Sequence, residues 1–379
     1  MQDRSQVIHL RAKASMSEQS ADTRYNLFGS SAEELEALVA DFGLQRFRAE
    51  QIYRWMYAEH VYGFAGMTNL SKDQRERLSE RFKIELPAIA GSSTSSDGTV
   101  KYLIELEDGL RVESVLIPTE DEDSEKLRRL TLCISTQVGC PLDCKFCATG
   151  SMKLKRNLTA GEIMGQYFRI QEQTGERISN IVYMGMGEPM LNYDAVMQSV
   201  EILTDERIEA LGANRITIST AGLIPEIRRL ADEGRKMKLA ISLHTPDNAA
   251  RTKLMPITKK YPVDELIAAA EYYYQRTRKR VTYEYILFEG WNDSAEDVQR
   301  LAKICRRFPS KVNLIPFHAV DYAFPEGMPL RLRAAAPETI ESFAESLRNA
   351  GVTVMLRSSS GKDINAACGQ LALQNENSG

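Results

Sequence analysis

The chain has no run of ~20 consecutive apolar residues, so no segment reads as a membrane-spanning helix. Nor does it open with a charged start, an apolar core and a small-residue cleavage site. That argues against a secretion signal and makes the cytoplasm the expected location. Net charge is also scarce. Forty-eight Lys and Arg face 52 Asp and Glu, a balance of -4, which excludes a uniformly basic nucleic-acid glove; any RNA must be held by local patches. Tandem repeats and low-complexity tracts are missing as well. What is present is a chain of 379 residues, 43% apolar and 26% charged, enough for a sizeable core and two or three domains of a soluble protein.

Hydropathy patterning divides the chain. Residues 1–23 are polar and without period, a mobile tail. Residues 24–95 read as a helical accessory domain suited to docking RNA. Ser31 and Glu34 form a capping box ahead of Leu35, Leu38 and Val39, a second helix carries Ile52, Trp55 and Met56 on one face, and a third starts at Ser71. Residues 96–125 read as a small β-extension, because Val100, Tyr102, Ile104 and then Val112, Val115, Ile117 alternate around an Asp108-Gly109 turn. From 126 to 362, apolar strands (130–136, 178–184, 215–220, 238–243, 281–287, 311–317, 352–357) alternate with amphipathic helices, which predicts an α/β core with a parallel sheet covered by helices. A barrel-like βα repeat and an open doubly wound sheet both satisfy that pattern. Residues 363–379 form a C-terminal loop with a frayed tail.

Four of the six cysteines, Cys133, Cys140, Cys144 and Cys147, fall within fifteen residues. In a cytosolic protein such crowding points to metal or redox chemistry before structural disulfides. The run Cys140-Pro-Leu-Asp-Cys144-Lys-Phe-Cys147 places three thiolates on one short loop. Three thiolates can hold three irons of a cubane and leave the fourth open. The alternative is a zinc loop completed by Cys133 or a distant His, although a closed zinc site wants four ligands and usually paired C-x2-C spacing. Polar groups recur at the ends of later strands: Gly185-Met-Gly-Glu-Pro189, Ser219, Ser242 with His244, and His318. Ligand sites gather at strand C-terminal ends in parallel βα architectures. Cys133 and Cys368 read either as loop thiols near that site or as ordinary buried thiols, and Cys305, on a helix with Leu301, Ile304 and Phe308, reads as core.

The C-x3-C-x2-C spacing with Phe146 before the last cysteine resembles the signature of the radical S-adenosylmethionine (SAM) superfamily. That resemblance implies a partial (β/α)6 barrel. It implies one 4Fe-4S cluster per chain on Cys140, Cys144 and Cys147, with SAM chelating the open iron and splitting on one-electron reduction. It also implies SAM contacts at Gly187, Glu188, Ser219, Ser242, Leu243 and His244. His318 stands where such chains commonly have Asn, and imidazole can also donate or accept a hydrogen bond.

Ala366-Ala-Cys368-Gly-Gln-Leu371, the Gly185–Pro189 turn, the cysteine loop and Arg111-Val-Glu113 together resemble the RlmN/Cfr group of RNA methyltransferases, over about residues 40–371. The resemblance implies methylation of adenine carbon 2 in 23S ribosomal RNA before full ribosome assembly, and of tRNA. Two SAM molecules are consumed per turnover. Cys368 becomes S-methylated and then links covalently to the base, Glu113 removes the ring proton, and Cys133 resolves the adduct by forming a disulfide with Cys368. A flavodoxin or ferredoxin is the implied electron donor, and the enzyme is expected as a monomer. Gly-Glu-Pro-Met-Leu-Asn192 and Phe47–Tyr57 favour the RlmN branch over the Cfr branch, which acts on carbon 8; a non-catalytic zinc-containing RNA-binding protein is the other reading. Local basic groups are Lys126, Arg128 and Arg129; Lys153, Lys155 and Arg156; Arg46, Arg48 and Arg54; and Lys259-Lys260. The set after the cysteine loop is best placed to meet a splayed-out base.

Overall fold

The computed structural model describes residues 22–119, 129–208, 211–324, 327, 330–357 and 360–373. Most of the expected mobile tail, Lys126 and Arg128, and the last six residues lie outside these. The chain forms two compact units, one running to Leu86 and taking in the short turn that begins at Asp205, the other beginning at Pro87.

The first unit holds β1 (Tyr25–Asn26), α1 (Ala32–Asp41), α2 (Phe47–Tyr57), α3 (Lys72–Arg81) and β2 (Phe82–Lys83). The Ser31/Glu34 capping box forms, with the Ser31 hydroxyl accepting the Glu34 amide at 3.2 Å and the Glu34 carboxylate accepting the Ser31 amide at 3.0 Å. Ile52 and Met56 of α2 are fully buried, whereas Trp55 is only half-buried and donates its indole N–H to Asn69 at 2.7 Å. The turn at Asp205 belongs here because the Tyr53 hydroxyl donates to the Asp205 carboxylate at 3.0 Å and Arg207 lies over the Tyr53 ring. The unit is not purely helical: β1 and β2 pair in parallel. Two-residue ladders carry no alternation that a sequence could reveal.

The second unit is built on a ten-stranded sheet. Its antiparallel edge comprises β3 (Ala88–Thr94), β4 (Val100–Glu105) and β5 (Arg111–Thr119). The expected extension thus gains β3, whose small, exposed residues (Ala-Ile-Ala-Gly-Ser-Ser-Thr) give little hydropathic signal. Then follow β6 (Arg129–Cys133) and, after the small hairpin of β7 (Gln137–Val138) and β8 (Arg156–Asn157), the strands β9 (Asn180–Tyr183), β10 (Ile216–Thr220), β11 (Lys238–Ser242), β12 (Val281–Leu287), β13 (Ser310–Pro316) and β14 (Val354–Leu356). Strands β6 and β9 through β14 are parallel neighbours in sequence order.

That order decides between the two architectures left open by the sequence. A doubly wound sheet reverses its strand order at a switch point. Here it never reverses, so right-handed crossovers put every helix on one side and the sheet curls as a partial barrel. The crossovers are α4 (Ala148–Ser151) and α5 (Ala160–Thr174), then α6 (Tyr193–Leu203), α7 (Ile224–Asp232), α8 (Asn248–Leu254), α9 (Val263–Thr277), α10 (Ala295–Cys305) and α11 (Pro337–Asn349). Six βα repeats therefore end in the edge strand β14. The curl is visible in a contact across it: the Arg357 guanidinium, just after β14, reaches the Met184 sulfur, just after β9, at 3.6 Å. Ile216, Ile218, Leu239 and Ile241, alternate residues of β10 and β11, are fully buried. Among the described residues, no helix is long and apolar enough to cross a membrane.

Candidate active site

The loop after β6 carries Cys140, Cys144 and Cys147, all free thiols and partly exposed. It rests on an apolar floor of Phe146, Leu254, Met255, Ile286, Phe288, Ile315 and Phe317, against which Cys144 and Cys147 pack. Burial pushes the Cys140 thiol up to about 12, Cys144 well above its usual value and Cys147 upward, and each of Cys140 and Cys144 is raised further by its neighbouring thiols. Thiols so placed do not ionise unaided; coordination to a metal is what deprotonates them. Arg251, fully buried on α8, stands beside Cys144. Its guanidinium is pinned by the carbonyls of Leu243 (3.1 Å), Ala221 (2.7 Å) and Ser242 (2.9 Å) and by the Thr258 hydroxyl (2.8 Å), so a fixed positive charge faces the thiols. This donor set fits an iron–sulfur cube. Among the described residues no three His, Cys, Asp or Glu groups converge as one metal ion would require. A cube spreads its three thiolates over three separate irons.

The strand-end residues meet around this loop. Gly187 has φ +99°, and a Cβ there would lie 2.5 Å from Cβ of Gln137, so only glycine fits. Glu188 is buried; its carboxylate accepts the Met190 amide at 3.0 Å and the Ala221 amide at 2.7 Å, tying the turns after β9 and β10 together. Burial pushes its pKa up to about 7. Ser219 and Ser242 sit at the ends of β10 and β11. Leu243 is fully buried with its amide bonded to the Glu284 carbonyl. His244 has φ +56°, accepts the Ile286 amide on Nδ1 at 3.1 Å, and meets Phe146 edge to face at 4.7 Å. Burial, helped by Arg251, lowers its pKa to about 3, so the ring is neutral. His318 is half-buried, its Nε2 is buried without a hydrogen-bond partner, and burial together with Lys362 lowers its pKa. Both features suit a neutral ring awaiting a ligand.

Glu113 lies on β5, buried, 3.0 Å from the Lys101 ammonium on β4. Its Oε2 is buried with no partner. Burial raises its pKa against the pull of Lys101. Cys133 ends β6, and burial pushes its thiol up to about 12, with Cys368 raising it further. The Cys368 loop is stitched to the cysteine loop by two bonds: the Ala148 amide donates to the Gly369 carbonyl at 2.8 Å, and the Thr149 hydroxyl donates to the Leu371 carbonyl at 2.6 Å. The Tyr322 hydroxyl closes on the Gln370 carbonyl. Cys368 thereby acts on both Cys147 and Cys133. The six cysteines are free thiols, and Cys133 and Cys368 form no disulfide with one another. Cys305 lies elsewhere, at the end of α10.

Nothing in the sequence pointed to Arg251, Lys101, Arg357 or Tyr322, all lone polar residues without a motif. One basic set also changes meaning. Arg156 is held by Asp108 at 2.7 Å and by both Glu162 oxygens at 2.8 Å, so its charge is consumed within the fold, while Lys153 and Lys155 are exposed.

Comparison with known proteins bears on this geometry. The radical SAM superfamily model matches residues 134–302, and a model for the N-terminal domain of ribosomal RNA large subunit methyltransferases matches residues 25–84. A protein of Dictyoglomus turgidum named "Probable dual-specificity RNA methyltransferase RlmN" is 44% identical over 93% of this chain and 99% of its own length. A Thermotoga maritima protein of the same name is 43% identical over 92% and 98%.

The chain belongs to the RlmN family.

The crystal structure of a radical SAM methyltransferase from Sphaerobacter thermophilus superposes with a TM-score of 0.82, at 41% identity, over 92% of this chain and 99% of that one. This RlmN-family chain is therefore a radical SAM RNA methyltransferase, and the α/β partial barrel expected from its sequence is the fold it adopts.

Proposed function

We propose that this RlmN-family enzyme methylates carbon 2 of adenine in 23S ribosomal RNA and in tRNA, through a methyl group carried on Cys368. The observation that supports this best is the pair of hydrogen bonds that ties the Cys368 loop to the stretch directly after Cys147, with the Cys133 thiol also under the influence of Cys368. A methyl carrier must face both the radical source and the thiol that later displaces it. The iron–sulfur cluster on Cys140, Cys144 and Cys147, with SAM, would supply an electrophilic methyl group and a carbon-centred radical. Gly187, Glu188, Ser219, the Ser242-Leu243-His244 strip and His318 would hold the SAM. The dual-specificity name of the relatives supports the tRNA substrate.

The protein's own groups then divide the work. Cys368 accepts the methyl and afterwards bonds the base covalently, which splits a forbidden displacement at an unreactive ring carbon into allowed steps. Glu113, with a free Oε2 and a raised pKa, takes the ring proton and holds it. Cys133 attacks the Cys368 sulfur and releases the methylated RNA. Lys153 and Lys155, with the helical unit as docking domain, would contact phosphates. A cytoplasmic monomer served by a flavodoxin or ferredoxin completes the proposal. The carbon-8 alternative of the Cfr branch gains no support from these contacts.

The test is chemical mapping. RNA from cells lacking the protein should lose 2-methyladenosine at one site in 23S RNA and in tRNA; loss of 8-methyladenosine instead would transfer the enzyme to the Cfr branch. Anaerobically purified protein should carry about four irons and absorb near ~400 nm; one zinc per chain would remove the radical mechanism.

A further inference from the structure

Around Cys133 the fold assembles a charged network that no step above uses. Glu284 on β12 is buried, and register pairs it with Asn313 on β13, whose amide donates to Oε1 at 2.9 Å. The other carboxylate oxygen, Oε2, is buried without a hydrogen bond and faces Arg357 Nη1 at 3.9 Å. The same Nη1 reaches the Met184 sulfur at 3.6 Å, and Met184 lies two residues beyond Val182, the ladder partner of Cys133. Half-buried, Arg357 thus reaches from the end of β14 to the end of β9, with the Glu284 carboxylate and the Met184 thioether both at its Nη1.

We propose that Arg357 is a positioning residue that stabilises the Cys133 thiolate for the resolving step. The inference rests on the proposed role of Cys133. The need is physical: the nucleophile in thiol exchange is the thiolate, and Cys133 sits where burial, then the Cys368 sulfur, oppose ionisation. The groups acting on it are Cys368, Arg357 and the Met184 backbone. Among the described residues Arg357 is the one cation in that set. The influence is mutual, for Cys368 first, then Glu284 and Cys133, hold the guanidinium protonated. Other cations of the site are engaged: Lys101 with Glu113 and Arg251 beside Cys144. Guanidinium suits the task because it stays charged when desolvated and can fork between two sulfurs and a carboxylate.

The step balances. The Cys133 thiolate pair forms the S–S bond to Cys368. The bond between the Cys368 sulfur and the RNA methylene breaks, and its pair goes to the methylene carbon. That carbon takes the proton held by Glu113 and becomes the methyl group. A cellular dithiol then reduces the disulfide.

The test uses the cluster-loaded holoenzyme, whose cluster shields its ligands from alkylation. The rate of iodoacetamide labelling of Cys133 at one fixed pH, read by mass spectrometry, should fall about tenfold in Arg357→Gln relative to wild type, the loss of thiolate that one unit of pKa means. Arg357→Lys should restore most of it. Unfolding cannot mimic the fall, since an unfolded thiol titrates near ~8.5 and labels faster. Equal rates in Arg357→Gln and Arg357→Lys, or a Gln rate no lower than wild type, would overturn the proposal. With RNA and SAM added, Arg357→Gln should accumulate the covalent adduct about tenfold over wild type. Slowed labelling with no adduct in any variant would leave the Arg357–thiol link standing and sink the resolving role of Cys133.

Discussion

The amide of Ala148 donates to the carbonyl of Gly369 at 2.8 Å, so the residue after Cys147 and the residue after Cys368 are joined by a single hydrogen bond. Residues more than two hundred positions apart are thereby neighbours, and the thiol loop takes its position from the cluster loop. Gly369, at φ +85°, makes this possible; a Cβ there would sit 3.3 Å from the Phe146 carbonyl. A Gly369→Ala variant is expected to load its cluster normally yet lose most S-methylation of Cys368. Iron content and intact-protein mass check the two halves separately.

Removing Cys133, the proposed resolving thiol, should stop the reaction at the covalent adduct. Cys133→Ala is expected to methylate Cys368 and then stay bound to RNA, visible as a shifted band on a denaturing gel that nuclease collapses to a nucleotide-mass addition. Normal turnover by this variant would refute the assignment.

Glu113 should set the acid limb of the pH profile. Its folded pKa is raised, so the carboxylate that its proposed role as base requires is lost as pH falls through a value above the ordinary carboxylate range. Lys101 opposes that rise from 3.0 Å. Lys101→Met should therefore move the acid limb further upward while Glu113→Gln abolishes product, both read from single-turnover rates. A limb unmoved by Lys101→Met would show that some other group sets it.

The two lysines and the arginine after the cysteine loop should part company. Lys153→Ala with Lys155→Ala should flatten the log–log salt dependence of RNA binding by about 1.4, roughly 0.7 for each phosphate no longer neutralised on single-stranded RNA. Arg156→Ala should leave that slope alone and lower the melting temperature by about 2 °C, because it is bonded to Asp108 and Glu162. An identical slope in the double lysine variant would place the RNA elsewhere.

Gly187→Ala should be costly even before any ligand binds. It forces positive φ on a side chain and drives a Cβ to 2.5 Å from Gln137, a strain of about 1–3 kcal/mol. Weaker SAM binding by calorimetry, with Glu188 still in place, is the expected outcome.

Much of this architecture is legible in the sequence, and the reasons are specific. The seven parallel strands announce themselves because strands such as β12, every residue buried, are largely apolar runs between helical periods, broken in β12 only by Thr282 and Glu284. The cysteine loop is legible because its ligands are contiguous. Strand β3 is hidden because its exposed residues are only Ala, Ser and Thr, and β1 and β2 because two residues have no period. Arg251, buried, and Arg357, half-buried, are hidden for a different cause: each is defined by what surrounds it, and those surroundings come from several different elements. The basic run ending at Arg156 misleads because a sequence shows charge but not the carboxylates that cancel it.

Two bonds, from Ala148 and Thr149, fasten the segment around Cys368 to the stretch that begins where Cys147 ends. The two stretches therefore move as one piece, and a disturbance of either carries the other with it.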